Sequence, residues 1–390
     1  MDIIINSKEF DRVLQKVIPI KDLVTRDDEK AILFSIRGNK LLIEAVKNQQ
    51  FQICFFVDIL SNNKPQEENN DFYILFFQLE RLRKVLKEDE RLNLFIINNA
   101  LNIKSEINGS VVLDLYNNQE AHENMRLIEL NTPIPATFKI NEWNILSKKI
   151  PYQNNQLLFE FNHKNQTVNI SGLFEVSSFF TLNSVCSSTD ESSPLIDMNN
   201  FAITAECSKF NFIKSFNNPI FTFLEDINSL YIQDELGIVI IRNTEYRNEE
   251  LQTVNSLIEL KEENNNSQIS IPQNQLESAL LFQSFNLGVS DSINLQVDGE
   301  FLLIKGNESK DPAKINCIEV GDFIESDINY SILNIATNLT KYKESTIIDI
   351  YQCKLMLEGD DEPILYFVIE EELSNNLKLR LFFYSIVQQS

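Results

Sequence analysis

Lysine and arginine gather in short stretches of this sequence where their spacing suits contact with phosphate. Residues 79–88, LERLRKVLKE, carry Arg81, Arg83, Lys84 and Lys87 around Leu79, Leu82, Val85 and Leu86, which fall on one helical face. Four further stretches follow the same plan, with Arg12 and Lys16, Lys148 and Lys149, Lys209 and Lys214, and Lys341 and Lys343 beside apolar residues at helical spacing. Cationic heads so placed attract phosphate oxygens in a salt-dependent way and read no bases.

Other chemistries find little footing. Glycine numbers only nine in 390 residues, and there is no Gly-rich phosphate loop, nucleophile elbow or HExxH pair. Five cysteines, Cys54, Cys186, Cys207, Cys317 and Cys353, lie far apart without ligand spacing and read as buried thiols. Both histidines, His122 and His163, sit in polar, turn-like stretches. The acidic run Asp360, Asp361, Glu362 before Pro363 reads as a solvated turn between strands rather than a metal loop. Neither an enzyme nor a cofactor is expected. No apolar run approaches the roughly 20 residues that span a bilayer, and the start MDIIINSKEF lacks the pattern of a signal peptide, so a cytoplasmic location is expected.

The formal charge of −23 repels nucleic acid unless the positive charge is segregated. It is: six helical windows, 7–17, 79–88, 141–150, 208–216, 272–281 and 330–343, sum to +7 and leave −30 for everything else. The fifth window is the exception, since Glu277 is its one charged residue.

What must position these side chains is a repeated unit. From Phe72 a short apolar run leads into the helix of 79–88, and three strands follow, broken by the turn signals Asn98-Asn99 and Asn108-Gly109. This βαβββ pattern starts at Asp2, Asp71, Ala136, Phe201, Gln268 and Asp327, at intervals of 69, 65, 65, 67 and 59 residues. Ser7, Asn141 and Ser208 are placed to cap helices and Pro272 to start one. Inward stripes are expected at Phe10, Val13, Leu14 and Val17, at Trp143, Leu146 and Ile150, and at Phe210, Ile213 and Phe216. The expected architecture is α+β, in three domains of two units each: 1–117, 136–243 and 267–390, joined by polar connectors.

Basic helices, acidic strands and six such units resemble the bacterial DNA sliding clamp, the DNA polymerase III beta subunit family. Thr167 and Val168 followed by Gly172 stand where that family has a TVxxTDGHRL-like stretch, Arg242, Glu245, Tyr246 and Arg247 where it has RFPDYR, and Ile328, Asn329 and Ser331 where it has FNxxYL. The resemblance implies a clamp fold with sheets outward and helices inward, closed head to tail as a homodimer around double-stranded DNA. It also implies a clamp loader and a tethered DNA polymerase as partners. A partner-peptide pocket is implied at Gly172, Leu173, Phe174, Leu251, Tyr384, Ser385 and Ile386, where the sequence departs from the family with SGLFE at 171–175 and FFYSIVQQS at its end. A checkpoint- or transcription-type clamp subunit, or an acidic scaffold or DNA mimic that forms no ring, fits the same composition.

Overall fold

A computed structural model describes residues 2–20, 31–47, 51–62, 71–86, 90–107, 109–116, 137–151, 156–175, 178–189, 199–211, 213–244, 268–288, 291–341, 346–355 and 364–384. The first copy of the unit comprises β1 (Asp2–Asn6), α1 (Ser7–Val17), β2 (Ala31–Arg37), β3 (Lys40–Lys47) and β4 (Phe51–Asn62). The second is β5 (Phe72–Leu75), α2 (Phe76–Arg83), β6 (Arg91–Ile97), β7 (Ala100–Ser105) and β8 (Gly109–Asp114). The third is β9 (Phe138–Ile140), α3 (Trp143–Lys149), β10 (Gln156–Asn162), β11 (Thr167–Glu175) and β12 (Ser178–Ser188). The fourth is β13 (Phe201–Glu206), α4 (Cys207–Asn211) with a 3-10 turn at Ile213–Ser215, β14 (Ile220–Leu224), β15 (Ser229–Gln233) and β16 (Gly237–Arg242). The fifth is β17 (Gln268–Pro272), α5 (Gln273–Gln283), β18 (Ser292–Asp298), β19 (Phe301–Gly306) and β20 (Ala313–Asn316), with a short β21 at Glu319–Val320. The sixth is β22 (Ser326–Asn329), α6 (Tyr330–Thr340), β23 (Ile347–Leu355), β24 (Ile364–Ser374) and β25 (Leu377–Tyr384). Most of both polar connectors lies outside the described residues. Among the described residues no helix is long and apolar enough to cross a membrane.

The helical stripes pack as their spacing dictates, with Phe10, Val13, Leu14 and Val17 wholly buried. Helix starts differ from expectation in four places, one of them α3, which begins at Trp143 with Asn141 and Glu142 in the turn before it, so that Asn141 is not its cap. Asn6 rather than Ser7 caps α1, its Oδ1 accepting from Glu9 N at 3.0 Å, while the buried Ser7 Oγ accepts from Glu90 N. Ser208 lies inside α4, not before it. Helix α2 begins at Phe76 because Phe76, Leu79 and Leu82 form its buried stripe, and it ends at Arg83, which leaves Val85 47% exposed instead of inward. Asn98 and Asn99 both adopt positive φ (51° and 58°), the backbone of a tight turn between β6 and β7.

By contact the chain divides into two compact units, Met1–Asn144 with Ser187–Thr244, and Ile145–Cys186 with Glu245–Ser390. In the first, β4 runs far enough to serve two sheets. Its end pairs with β1, which continues through β6 and β7 to β8. Its beginning joins β5–β2–β3 to β16–β15–β14–β9. In the second unit one sheet runs β10–β11–β12–β25–β24–β23–β17–β21, and another β20–β19–β18–β22.

A rule emerges from the joints. The last strand of copy 1, β4, pairs antiparallel with the last strand of copy 4, β16, Phe55 opposite Gly237 and Phe51 opposite Ile241. Likewise β12 of copy 3 pairs with β25 of copy 6, Phe179 opposite Phe382 and Ser184 opposite Leu377. The last strands of copies 2 and 5, β8 and β20, pair on one side only among the described residues.

The joint of copies 1 and 4 shows what closure involves. Phe216 meets Phe55 edge-on, ring centroids 6.1 Å apart, and Lys16 Nζ sits 4.6 Å from the Phe216 centroid while pairing with Asp234 at 2.9 Å. Gly237 allows the strands to close, since a Cβ there would lie 2.5 Å from Phe55 Cδ1 and 2.7 Å from the Cys54 carbonyl oxygen. Gly237→Ala is therefore expected to destabilise the chain by about 1–3 kcal/mol through overpacking, read as a lower urea midpoint without loss of soluble expression.

Candidate functional site

The basic side chains fall into three groups. Arg81, Lys84 and Lys148 are exposed and make no ion pair among the described residues; Arg81 lies 5.4 Å from the Phe77 ring centroid. Lys214 is exposed on the turn after α4. A second group is held by carboxylates: Arg12 by Glu235 at 2.5 Å, Lys16 by Asp234, Arg83 by Asp11 at 3.2 Å and Lys341 by Glu277 at 2.8 Å. Of these four only Lys16 is largely buried. The three exposed pairs contribute about 0–1 kcal/mol each, so phosphate oxygens can replace those carboxylates at small cost, whereas Lys16 is held inside its joint. Lys87 and Lys343 lie outside the described residues.

The third group departs from the sequence expectation. Lys149 and Lys209 are buried and cannot face a ligand in solution. Lys149 Nζ donates to the carbonyl oxygens of Leu339 and Lys341 at 2.5 and 2.6 Å, satisfying the C-terminal end of α6. Lys209, 2% exposed, is 3.9 Å from Glu206. The signal was in the spacing, since Lys149 stands three residues after the inward Leu146, and Lys209 stands four and seven before the inward Ile213 and Phe216.

Lys149 has a second consequence. Glu371 on β24 is 2% exposed, and neither of its carboxylate oxygens accepts a hydrogen bond among the described residues. Burial pushes its pKa up to about 8, against the pull of the Lys149 charge, while burial pushes Lys149 down.

The residues expected to bind a partner peptide sit on the second unit. Phe179, Tyr351, Cys353, Tyr366, Val368 and Phe382 form a buried cluster, against which the half-buried Leu173 and Tyr384 pack. Strand alternation keeps this cluster on the face opposite Leu381 and Phe383. Gly172 belongs here for a steric reason: a Cβ would come within 2.9 Å of Leu157 Cδ2 and 3.0 Å of the Gln156 carbonyl oxygen. Phe174 does not line the surface. It is 1% exposed, next to the irregularity that shifts register between Leu173 and Glu175. Leu251, Ser385 and Ile386 lie outside the described residues, as do Asp360, Asp361 and Glu362. Cys54, Cys186, Cys207 and Cys353 are buried free thiols and Cys317 a half-buried one.

No family model matches the sequence, and no curated protein matches it. Solved structures do. The Helicobacter pylori beta clamp in complex with 5-chloroisatin is 15% identical at a TM-score of 0.71, with 99% of this chain and 100% of that one covered. The H. pylori beta clamp bound to a DNA ligase peptide gives 16% identity and a TM-score of 0.68, again over 99% and 100% of the two chains. The DNA polymerase III subunit beta of Pseudomonas aeruginosa gives 12% and 0.72, with the same coverage. At such identities the likeness shows the fold, which along the whole chain is that of the bacterial beta clamps.

The Glu371 carboxyl makes a prediction about pH. Its raised pKa means that the folded chain holds a proton the unfolded chain releases near pH ~4.3. The stability this contributes is full below that pH and is lost as the pH rises through about 8. Urea denaturation across this range is expected to show falling stability in the parent and a flatter profile in Glu371→Gln.

Proposed function

We propose that this chain is a DNA sliding clamp: a processivity factor that closes head to tail with a second copy around double-stranded DNA and tethers a DNA polymerase to it. The observation that carries the reading is the joint rule. Copy 1 pairs with copy 4 and copy 3 with copy 6, so copy 5 calls for an eighth copy, which is copy 2 of a following chain. Among the described residues the end strands paired on one side only are β20 and β8. Likeness along the whole chain to beta clamps, one of them bound to a DNA ligase peptide, supports the same reading.

On this reading residues 1–117, 136–243 and 267–390 are three domains, and two chains make a homodimeric ring in the cytoplasm with the helices toward DNA. Arg81, Lys84, Lys148 and Lys214 are the principal phosphate contacts, joined by Arg12, Arg83 and Lys341 when their carboxylates let go; Lys87 and Lys343 are placed by sequence to add to them, and Lys16 stays in its joint. The acidic remainder keeps DNA off the other surfaces. The clamp makes and breaks no bond. It holds by topology and slides because its contacts are weak and ignore sequence. A clamp loader opens it, and partner peptides dock at Leu173 and Tyr384 above the aromatic cluster.

Two measurements test this. Light scattering after size exclusion is expected to give twice the mass of one chain, and the loaded protein should stay on circular DNA and leave on linearisation. Replacing Arg81, Lys84 and Lys148 together with Ala should cut retention and lower the salt slope of DNA binding by about one for each phosphate no longer neutralised. A persistent monomer indifferent to DNA would favour the acidic scaffold instead. For the partner site, Leu173→Asp is expected to weaken a clamp-binding peptide at least about tenfold with the ring intact, the cost of an unpaired charge on an apolar surface.

A further inference from the structure

The two internal joints carry a lysine at the same place. Lys16 of α1 and Lys149 of α3 each stand three residues after an inward side chain, Val13 and Leu146, and one before another, Val17 and Ile150. In the joint of copies 1 and 4 the Lys16 ammonium pairs with Asp234 at 2.9 Å. The other oxygen of that carboxylate accepts from the backbone N–H groups of Leu236 and Gly237 at 2.8 and 3.0 Å. Asp234 thus has donors on both oxygens, as a buried carboxylate requires.

The joint of copies 3 and 6 is wired differently. Helix α4 stops at Asn211, whereas α6 runs on to Thr340 and brings its last carbonyl oxygens to Lys149. Lys149 donates there, to Leu339 and Lys341, and Glu371 on β24 is left without a donor on either oxygen. Among the described residues Lys149 is the one charge that bears on Glu371. Lys378 and Arg380 of β25 pair with Glu370, which points to the opposite face of the sheet, at 2.5 and 2.8 Å. Asp349 of β23 lies across from Glu370 and accepts from Ser270, while Lys341 of α6 turns to Glu277 on α5.

We infer that Lys149 and Glu371 form a latch on the C-terminal end of α6. It is closed while Lys149 bonds the Leu339 and Lys341 carbonyls, and it opens when an ionised Glu371 draws the ammonium away. Two groups claim one ammonium, and the proton on Glu371 decides between them. With that proton in place the helix end holds Lys149, aided by the helix dipole, which favours a cation there. A bare carboxylate in the same spot has no other donor to turn to, and a buried charge left unpaired is strongly unfavourable. Burial keeps the proton on Glu371 up to a pH of about 8, so the latch is closed in neutral solution and opens above it. Opening frees the backbone around Lys341, the exposed lysine that Glu277 holds at 2.8 Å. Lys149 is then a positioning residue for Lys341. The effect on DNA rests on the clamp reading, whereas the latch itself does not.

The test is amide hydrogen exchange in the full-length parent, Glu371→Gln and Lys149→Met, corrected for the intrinsic rise of exchange with pH. Between about pH 7 and about pH 9 the parent should lose at least about tenfold of its protection over residues 337–341 while α1 keeps its own. Glu371→Gln should keep both, and Lys149→Met should show a poorly protected α6 end at either pH. A parent whose α6 end does not respond, or a Glu371→Gln chain that responds as the parent does, overturns the latch. So does a loss shared equally by α1, which would mark general destabilisation. Binding to duplex DNA over the same pH range reads the consequence. Parent affinity should fall roughly two- to fivefold, the worth of one exposed ion pair, and Lys341→Ala should abolish that fall. Affinity that ignores pH while exchange follows Glu371 overturns the link to Lys341 and upholds the latch. A chain that binds no DNA at either pH overturns the clamp reading, and the exchange result still decides the latch.

Discussion

A strand at the edge of a sheet shows a row of N–H and C=O groups that will pair with any strand that reaches it. Every copy of the βαβββ unit ends on such a strand, and the organisation of this molecule follows from where those edges go. Pairing β4 with β16 and β12 with β25 fuses half-sheets from copies far apart in sequence into continuous sheets. Contact therefore gathers the chain into two units that cut across the sequence repeats, with α3 itself divided between them. Register is held tightly at these joints. A slip of one residue between β4 and β16 would turn buried side chains to the wrong face and move Gly237 away from Phe55, whose ring only a glycine admits so close.

Charge is arranged around the same frame. The helices carry the cations, but several are already met by carboxylates from a neighbouring copy, as with Arg12 and Glu235 or Lys341 and Glu277. Such pairs lower the energy gained when phosphate arrives, because one weak exposed contact is exchanged for another. For a protein proposed to slide this is an advantage, since deep wells at each phosphate would arrest it. The buried cations do structural work instead: Lys149 takes up two carbonyl oxygens at the end of α6.

Much of this was legible in the sequence. The period near 65 residues, the helical stripes and the turn pairs identify all six copies, and most strand limits fall within a few residues of the observed ones. The fold was legible because the same order of strand, helix and three strands recurs six times, so that a weak copy such as the five-residue α4 is read from its stronger neighbours. Individual side chains were harder. Treating every lysine on a basic helix as surface overlooked the stripe positions of Lys149 and Lys209, which the inward residues around them mark. Phe174 was misplaced because its position in the resembling family was followed, although it keeps step with the buried Val168 and Ile170, six and four residues before it, and so belongs on the core face. Pairing between copies was illegible in principle. Strand residues say that an edge is apolar, not which distant edge will cover it.

The joints differ chemically in a way that suits their proposed tasks. Where copies 1 and 4 meet inside one chain, the partners are covalently tied, and a glycine, an aromatic pair and an ion pair are enough to set their fit. A joint between chains has no such tether and must meet the entropic cost of association from its own contacts. Apolar burial is suited to that, being non-directional and insensitive to the salt that weakens ion pairs.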